Sequence, residues 1–378
     1  MPVMLPAREL AQLSTPELFM GKSFDKAISF RELYKGLKKS CNNVRWKDSV
    51  ISYEWNALKN TYTLRQELLD GQYEIRGYQR FTIREPKERE IVATRIRDRH
   101  FQRSLCDNAL YAQITRSFIR DNCACQRGRG VDDALNRMDA HLHRYYRKHG
   151  CEGWVIKCDI RHYFAETRHD VAKAALRKRV TDDAAYEYAA QIVDSFGGDK
   201  GIGLGSQVSQ LVELAVLDDF DHWVKERLRI KHYVRYMDDF ILIHEDRAVL
   251  DDALRQIAAK LGEIGLVLNA KTHCHPLKQG IVFLKWHFYL TDTGKVIRKI
   301  SKRSIRKEKR RLKAIAEKVK EGLAAEEDLS TSFQSWAAHA KRGNARRVIN
   351  KMDGLYNGLL KEVREYGSDR GADEQKDR

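Results

Sequence analysis

The sequence predicts an α+β fold in which helical segments flank an antiparallel sheet. Apolar residues recur every three to four positions over residues 24–75 and 168–196, which is the spacing of amphipathic helices. Residues 77–93 instead alternate in the manner of a β-hairpin, and residues 233–246 place short apolar runs on either side of a tight turn. A buried strand, "GWVIKCDI", is predicted at residues 153–160. Strands joined by such short turns pair antiparallel, so the sheet is expected to be antiparallel.

The first part of the chain is predicted to be mostly helical. The stretches "FRELYKGLKKS" and "SYEWNALKNTYTLRQELLDG" carry the helical spacing, and Gly71 ends the second of them. The hairpin over residues 77–93 follows, with its turn near Pro86 and Lys87, and helices are expected from there to about residue 148.

The middle of the chain alternates between helices and strands. Helices over residues 168–196 precede "GIGLGSQVSQLVELAVLDDFDHWVKERL", a glycine-rich loop that leads into one long helix. In the hairpin over residues 233–246, Met237 and Asp238 occupy the two-residue turn. A helix over residues 248–264 and a strand-rich segment over residues 282–290 follow.

The charge of the chain indicates a polyanionic partner. Lys and Arg number 70 against 53 Asp and Glu, which gives a net charge of +17. The segment over residues 298–320 holds twelve basic and two acidic residues and is predicted to be helical from about Ser304, with Ile305, Leu312 and Ile315 on or near one face. A solvated helix face is the alternative. We predict contacts to nucleic-acid phosphates from Arg298, Lys299, Lys302, Arg303, Arg306, Lys307, Arg310 and Arg311.

Other features of the composition indicate a soluble globular protein. No apolar run reaches transmembrane length, and the first residues lack the pattern of a signal peptide, so no membrane association and a cytoplasmic location are expected. The seven cysteines fit no zinc module and are expected to be reduced. The last dozen residues are predicted to be disordered.

Three aspartates are predicted to meet at one edge of the sheet. Asp159 ends the apolar strand, and Asp238 and Asp239 lie at the hairpin turn. Carboxylates packed together repel one another unless cations neutralise them, and Mg²⁺ suits such oxygen ligands. Two ions about 4 Å apart are the machinery of nucleotidyl transfer. The alternatives are an ordinary surface turn for the hairpin and a strand-end cap for Asp159.

Two of these motifs resemble the core of the reverse transcriptases, specifically the bacterial kind without long terminal repeats. "YMDD" at residues 236–239 resembles their palm hairpin, and "CDIRHYFAETRH" resembles the strand motif that precedes it. In the latter, Asp159, Tyr163, Phe164 and His169 fit the family pattern, and the two residues that depart from it are Thr167 and Arg168.

Further motifs follow in the order of the same family. "EPKEREIVATRIRDRHFQRSL" is similar to the fingers segment, "DNCACQRGRGVDDAL" to the loop and helix after it, and "FQSWAAHAKRGNARRVI" to a thumb helix pair. "LNAKT" and "GIVFLKWHFYL" resemble the last palm motifs, although Lys285 replaces a common glycine. The resemblance covers about residues 25–360, and six motifs in the family's order make it specific.

The resemblance implies a right-hand polymerase with fingers, palm and thumb. Its expected parts are a helical region over 1–75, fingers over 76–150, a palm over 151–290 with a finger-side helical insertion at about 168–200, a basic helical thumb over 291–365 and a disordered tail over 366–378. The implied activity is RNA-directed DNA synthesis from deoxynucleoside triphosphates, with two Mg²⁺ ions as cofactors and Mn²⁺ as the alternative.

The resemblance also implies roles for individual residues. Asp159 and Asp238 hold both metals, with Asp239 in support. Phe164 lies on a strand leaving the site and excludes a 2′-hydroxyl, while Tyr163 faces the core. The other residues expected at the nucleotide are Lys87 and Arg89 as triphosphate grips, Lys271 as the acid for pyrophosphate, Gln210 and Tyr236.

One departure from the family pattern bears on the biological setting. In "GIGLGSQVSQ", Leu204 stands where many family members have Gln, and Ser209 and Gln210 end the motif. This form resembles reverse transcriptases of antiphage defence systems and of diversity-generating retroelements. We favour the first setting, with a dedicated non-coding RNA as template and a cDNA product. An accessory protein, a second polymerase subunit and the oligomeric state stay open. The rivals are a template-independent DNA polymerase and an idle RNA-binding scaffold.

Overall fold

The computed structural model describes residues 23–84 and 88–376. Its first part is helical, as predicted, and the helix after Ser29 begins where that side chain accepts a hydrogen bond from the backbone N–H of Glu32. Leu33 and Leu37 on this helix are fully buried. The helices of this part are α1 (Ser23–Ile28), α2 (Phe30–Cys41), α3 (Asp48–Trp55) and α4 (Ala57–Leu69).

The predicted first hairpin is present and is followed by helices. Its strands pair antiparallel with Ile83 opposite Arg89, and the turn between them lies outside the described residues. The elements are β1 (Tyr78–Ile83), β2 (Arg89–Thr94), α5 (Ile96–Leu105), a π-helical turn (Cys106–Leu110), α6 (Tyr111–Thr115) and α7 (Val131–His149).

A four-stranded antiparallel sheet, the central sheet, lies at the middle of the molecule. Its strand order is β4-β5-β3-β6, so β3 and β5 are the inner strands. Both faces are covered, because alternate residues of β3, such as Val155 and Ile156, enter two different hydrophobic cores. The strands are β3 (Trp154–Asp159), β4 (His232–Tyr236), β5 (Asp239–His244) and β6 (His273–Pro276). Burial on both faces explains why β5 carries a continuous apolar run from Phe240 to Ile243 rather than an alternating pattern.

Helices surround the central sheet. The long helix predicted after the glycine-rich loop is two helices, which divide at Leu217. The helices are α8 (Tyr163–Glu166), α9 (His169–Arg177), α10 (Asp183–Asp194), α11 (Gln207–Val216), α12 (Asp218–Glu226) and α13 (Arg247–Glu263).

The last part of the chain combines a small sheet with long helices. Strands β7 (Ile281–Phe283), β8 (Trp286–Leu290) and β9 (Val296–Ile300) form a three-stranded sheet that crosses the predicted boundary at residue 290. Helices α14 (Lys302–Lys320), α15 (Glu326–Ala340) and α16 (Arg346–Lys376) follow. Helix α16 continues into the segment 366–378 that was expected to be disordered, because each residue added to an existing helix gains a hydrogen bond.

Two further expectations concern the whole chain. All seven cysteines are free, as predicted. Within residues 23–84 and 88–376, no helix is both long enough and apolar enough to cross a membrane.

Candidate active site

The predicted aspartates meet where the inner strands of the central sheet end, and this end of the sheet is called its edge below. Asp159 on β3 lies directly opposite Asp239 on β5. Met237 and Asp238 form the turn between β4 and β5, and the carbonyl of Asp238 accepts a hydrogen bond from the N–H of Ile160 at 3.3 Å. The strand end that carries Asp159 is therefore tied to the turn that carries Asp238.

A lysine supplies positive charge to this edge. The Nζ of Lys157 lies 3.2 Å from Oδ2 of Asp239. Burial raises the pKa of Asp239 to about 6; the Lys157 ammonium opposes this shift, and the Asp159 and Asp238 carboxylates add to it. The other oxygen of Asp239, Oδ1, is buried and has no hydrogen-bond partner among the described residues. One oxygen of this carboxylate is thus available to a cation.

An asparagine holds Asp159 from the other side. The side-chain amide of Asn269 donates to Oδ2 of Asp159 at 3.1 Å, and its backbone N–H donates to the Asp159 carbonyl at 2.7 Å. The Asn269 side-chain oxygen accepts from the N–H of Lys271 at 3.1 Å, which shapes the loop in which Lys271 is exposed.

The donor atoms at this edge fit divalent metal ions. Asp159, Asp238 and Asp239 offer only hard carboxylate oxygens, and Asp239 Oδ1 is unpartnered. Over residues 23–84 and 88–376, no three His, Cys, Asp or Glu side chains converge closely enough to hold a metal ion. The other oxygen of Asp239 is directed to the ammonium of Lys157, which supplies compensating charge there.

The segment after Asp159 corrects one expectation. Tyr163 and Phe164 lie on the short helix α8 and not on a strand. Helix α8 begins after His162, whose left-handed backbone (φ 49°) turns the chain away from the direction of β3. Tyr163 is buried and its hydroxyl donates to the carbonyl of Glu213 at 2.5 Å, whereas Phe164 is half-buried. Tyr163 thus belongs to the core, and Phe164 packs against the same core with part of its ring exposed.

A buried glutamate lies behind α8. Glu213 on α11 is fully buried, and its Oε2 lies 2.9 Å from the hydroxyl of Thr167. Burial raises the pKa of Glu213 to about 8, and the charge of Asp238 adds to the shift. Glu213 is consequently neutral at neutral pH and adds no negative charge behind the aspartates.

The first hairpin is anchored to the glycine-rich loop. The N–H of Val92 on β2 donates to the carbonyl of Leu204 at 2.8 Å. Gly205 (φ 131°) lies so close that a Cβ there would approach the Val92 carbonyl to 3.0 Å, which requires glycine. Arg89 is exposed on β2, and Lys87 lies outside the described residues.

Two other predicted nucleotide residues lie on different elements. Tyr236 is half-buried at the end of β4, opposite Asp239 in the register, and burial raises the pKa of its hydroxyl. Gln210 is exposed on α11. The register therefore places Tyr236 beside the aspartates, and Gln210 lies on the helix that the glycine-rich loop begins.

The basic segment forms an exposed cationic helix face. Leu312 on α14 is buried and Ile305 and Ile315 are partly buried, as the predicted pattern requires. The predicted cations on the opposite face are exposed: Lys302, Arg303, Arg306, Lys307, Arg310 and Arg311. Lys299 is also exposed, over the ring of Tyr289.

Arg298 differs from the other predicted phosphate contacts. It lies on β9, pairs with Asp139 on α7 and retains only 13% of its side-chain exposure. Its guanidinium also donates to the side chain of Asn136 at 2.7 Å. In this structure Arg298 connects β9 to α7, because its charge is already matched inside the protein.

Sequence reasoning missed several residues around the aspartates. The position of Lys157 could have been predicted, because residues two apart on a strand share a face and Lys157 precedes Asp159 by two. Asn269 lies in "LNAKT", which resembled a palm motif, but its bond to Asp159 left no signal, and nothing local in the sequence indicates that Glu213 reaches the site.

The comparisons with known proteins identify the family. Residues 85–284 match the model of the reverse transcriptase (RNA-dependent DNA polymerase) family. The chain belongs to the reverse transcriptase family. The matched residues form an RNA-directed DNA polymerase domain, and the predicted right-hand polymerase fold is confirmed by the family. Domains of this family use divalent metal ions.

Individual relatives are distant. The chain is similar to Protein YkfC of Escherichia coli (strain K12), with 24% identity over 265 residues, 58% of this chain and 69% of that protein. Telomerase from Candida albicans in complex with a fragment of telomeric RNA gives a TM-score of 0.47 at 12% identity, over 83% of this chain and 64% of the other. Apo telomerase from Candida tropicalis, truncated from its C-terminal domain, gives 0.46 at 12% identity, over 60% and 55%. The chain thus spans between about half and two thirds of these telomerase chains.

Proposed function

We propose that this protein copies a dedicated non-coding RNA into DNA, with Asp159, Asp238 and Asp239 as its catalytic carboxylates. The observation that carries the proposal is the placement of Asp159 opposite Asp239 on the inner strands of the central sheet, with Asp238 in the adjoining turn. This edge lies inside the segment that matches the reverse transcriptase family.

The carboxylates serve as ligands for two divalent ions, for which we propose Mg²⁺. Asp159 and Asp238 would hold both ions, and Asp239 would support them through its unpartnered oxygen. When bound, the ions favour deprotonation of the attacking hydroxyl and neutralise the charge of the leaving group. Lys157 balances Asp239, and Asn269 fixes the orientation of Asp159.

The other proposed contacts surround this edge. Phe164 would pack against the sugar and reject a 2′-hydroxyl, with Tyr236 beside it. Arg89 and Lys87 would hold the triphosphate, Gln210 would contact the nucleotide, and Lys271 would protonate pyrophosphate. The exposed cations of α14 would hold the nucleic acid through its phosphates, and Lys299 extends this surface.

In this proposal residues 1–75 are the N-terminal helical region, 76–150 the fingers, 151–290 the palm and 291–365 the thumb. We propose antiphage defence as the biological setting, in the cytoplasm. Mutagenic copying in a diversity-generating retroelement is the second candidate, since Leu204, Ser209 and Gln210 resemble both groups. A template repeat and a small basic accessory protein encoded nearby would favour the second.

The experiment is to sequence nucleic acid that co-purifies with the protein and to assay primer extension on that RNA. The wild-type protein is expected to incorporate deoxynucleotides complementary to the RNA. The double variant Asp238→Ala/Asp239→Ala should lose incorporation while it still co-purifies with RNA. Asp252→Asn, on the exposed face of α13, is the control and should retain activity.

Three outcomes would contradict the proposal. Undiminished synthesis by the double variant removes these aspartates from catalysis. Product whose sequence ignores the RNA indicates template-independent polymerisation. Absence of synthesis by the wild-type protein with any divalent ion indicates an RNA-binding scaffold.

A further inference from the structure

A fully buried arginine contacts the turn that carries Asp238. Arg235 on β4 has no solvent exposure. Its Nε and Nη2 donate to the two carboxylate oxygens of Asp221 on α12, at 2.7 and 2.6 Å. Its remaining terminal nitrogen, Nη1, donates to the backbone carbonyl of Met237 at 3.0 Å. One guanidinium therefore joins a helix in the core to the turn itself.

The surroundings of Arg235 leave it little freedom. Asp221 is also fully buried and accepts a third hydrogen bond, from the hydroxyl of Tyr233 at 2.6 Å. The backbone of Arg235 is held too: its N–H donates to the carbonyl of Asp121 at 2.9 Å, and its carbonyl accepts from the N–H of Cys123 at 3.0 Å. Hydrogen bonds therefore hold both the side chain and the backbone of Arg235 in place.

Stability alone does not account for this arrangement. Taking two charges out of water is costly, and apolar side chains of similar volume often stabilise a protein as well as a buried ion pair does. What apolar side chains cannot do is donate to the Met237 carbonyl. Met237 has a left-handed backbone (φ 56°), a conformation that is unfavourable for a residue with a side chain. The hydrogen bond from Arg235 to the Met237 carbonyl favours this left-handed turn over other backbone conformations at Met237.

We infer that Arg235 and Asp221 are positioning residues that set the orientation of the Met237–Asp238 turn, and through it the Asp238 carboxylate. The inference rests on the proposed function, because it assigns Asp238 to the metal ligands. Neither residue touches the reacting atoms. Each should therefore affect how tightly catalytic metal is held and how fast the bound complex reacts, rather than whether RNA binds.

The test removes the polar contacts and preserves the packing. The triple variant Asp221→Leu/Tyr233→Phe/Arg235→Met replaces the buried network with apolar side chains of similar volume. We expect its thermal unfolding and its RNA affinity to stay close to those of the wild type. Because the Asp238 carboxylate would be misplaced, the Mg²⁺ concentration for half-maximal primer extension should rise about tenfold or more. For the same reason kcat should fall at least about tenfold, which corresponds to about 1.4 kcal/mol.

A matched control exists on the same helix. Asp218 on α12 forms a buried pair with Arg179, which donates to it at 2.8 and 3.0 Å. The other hydrogen bonds of Arg179 among the described residues go to Ala175 and Asp219, not to the turn. Arg179→Lys should lower stability and leave the Mg²⁺ midpoint unchanged. Arg235→Lys retains the charge, but its single nitrogen cannot occupy the three positions from which the guanidinium nitrogens donate, so this variant should shift the Mg²⁺ midpoint.

The outcomes separate the inference from the proposed function. If the wild type extends primers and the folded triple variant has the same Mg²⁺ midpoint and kcat, the inference is wrong and the proposed function stands. If the triple variant does not fold, the comparison of Arg235→Lys with Arg179→Lys decides: equal Mg²⁺ midpoints overturn the inference, and a shift confined to Arg235→Lys supports it. A wild type inactive with every divalent ion tested overturns both.

Discussion

The edge of the central sheet and the surface of α14 use charge in opposite ways. At the sheet edge each charge has a specific neighbour: Lys157 faces Asp239, Asn269 holds Asp159, and Arg235 is buried against Asp221. On α14, exposed cations follow one another along a helix with few acidic neighbours. Charge at the first place is directed at particular atoms, and charge at the second is spread over a surface.

The difference corresponds to two kinds of binding. A catalytic group acts only at a defined position, and buried ion pairs and hydrogen bonds can fix that position. A polyanion offers a regular series of phosphates, so exposed cations suffice and binding depends strongly on salt. Substitutions at the sheet edge should therefore change reaction rates or substrate choice, and substitutions on α14 should change affinity.

The largest expected effect is on α14. Reversal of Arg303, Arg306, Arg310 and Arg311 to Glu should weaken RNA binding about a hundredfold at moderate salt and make the dependence of log Kd on log salt shallower by up to about 3, since each phosphate contact on a single strand contributes about 0.7. Titration of labelled RNA at several salt concentrations measures both.

The control for α14 uses cations that already have partners. Arg255 pairs with Asp252 and Lys260 with Glu263 on α13. Reversing these two to Glu should change the salt dependence little. An unchanged slope in the α14 variant would mean that its charges form a solvated helix face.

The next effect concerns sugar choice at the sheet edge. Phe164→Ala should raise ribonucleotide incorporation about tenfold, because rejection of a 2′-hydroxyl worth about 1.4 kcal/mol gives a factor of ten. Tyr163→Ala should instead lower stability without altering sugar choice, since Tyr163 is buried and bonded to Glu213. Single-nucleotide incorporation with matched ribo- and deoxynucleotides tests both, and the opposite result would move the gate to Tyr163.

The smallest effect is the pH dependence due to Glu213. Its pKa is raised to about 8, so between about pH 4.5 and 8 the folded state binds a proton that the unfolded state releases. This contribution to stability is complete at low pH and declines as pH rises through that range. Glu213→Gln cannot ionise, so its free energy of unfolding relative to the wild type should increase by about 1 kcal/mol or more from pH 5 to pH 8.

Denaturant unfolding of both proteins at several pH values measures this increase. Glu317→Gln, at an exposed position of α14, should show no such trend. If the difference between Glu213→Gln and the wild type is constant with pH, Glu213 is ionised in the folded protein.

The fold was more predictable than the contacts within the site. Apolar periodicity located most helices and strands, and the turn at Met237 and Asp238 is where the hairpin pattern put it. The prediction of a strand at Tyr163 and Phe164 was wrong, because the chain turns at His162 into α8. Arg298 lies in the basic segment, but its partner, Asp139, is far away in sequence. Pairing between distant residues leaves no local pattern, so the contacts of Asp221 with Arg235 and of Asn269 with Asp159 could not be predicted from the sequence.

Because the central sheet is covered on both faces, it is shared by two hydrophobic cores. One contains Ile156 and Phe240, the other contains Val155 and Ile241, and Tyr236 packs against both. The backbone of β3 and β5 can exchange its amide hydrogens only when both cores open, so these strands should be the last to exchange. We therefore expect the carboxylates of Asp159 and Asp239 to stand on the part of the molecule that opens most slowly, so that local opening of either surrounding layer leaves their spacing intact.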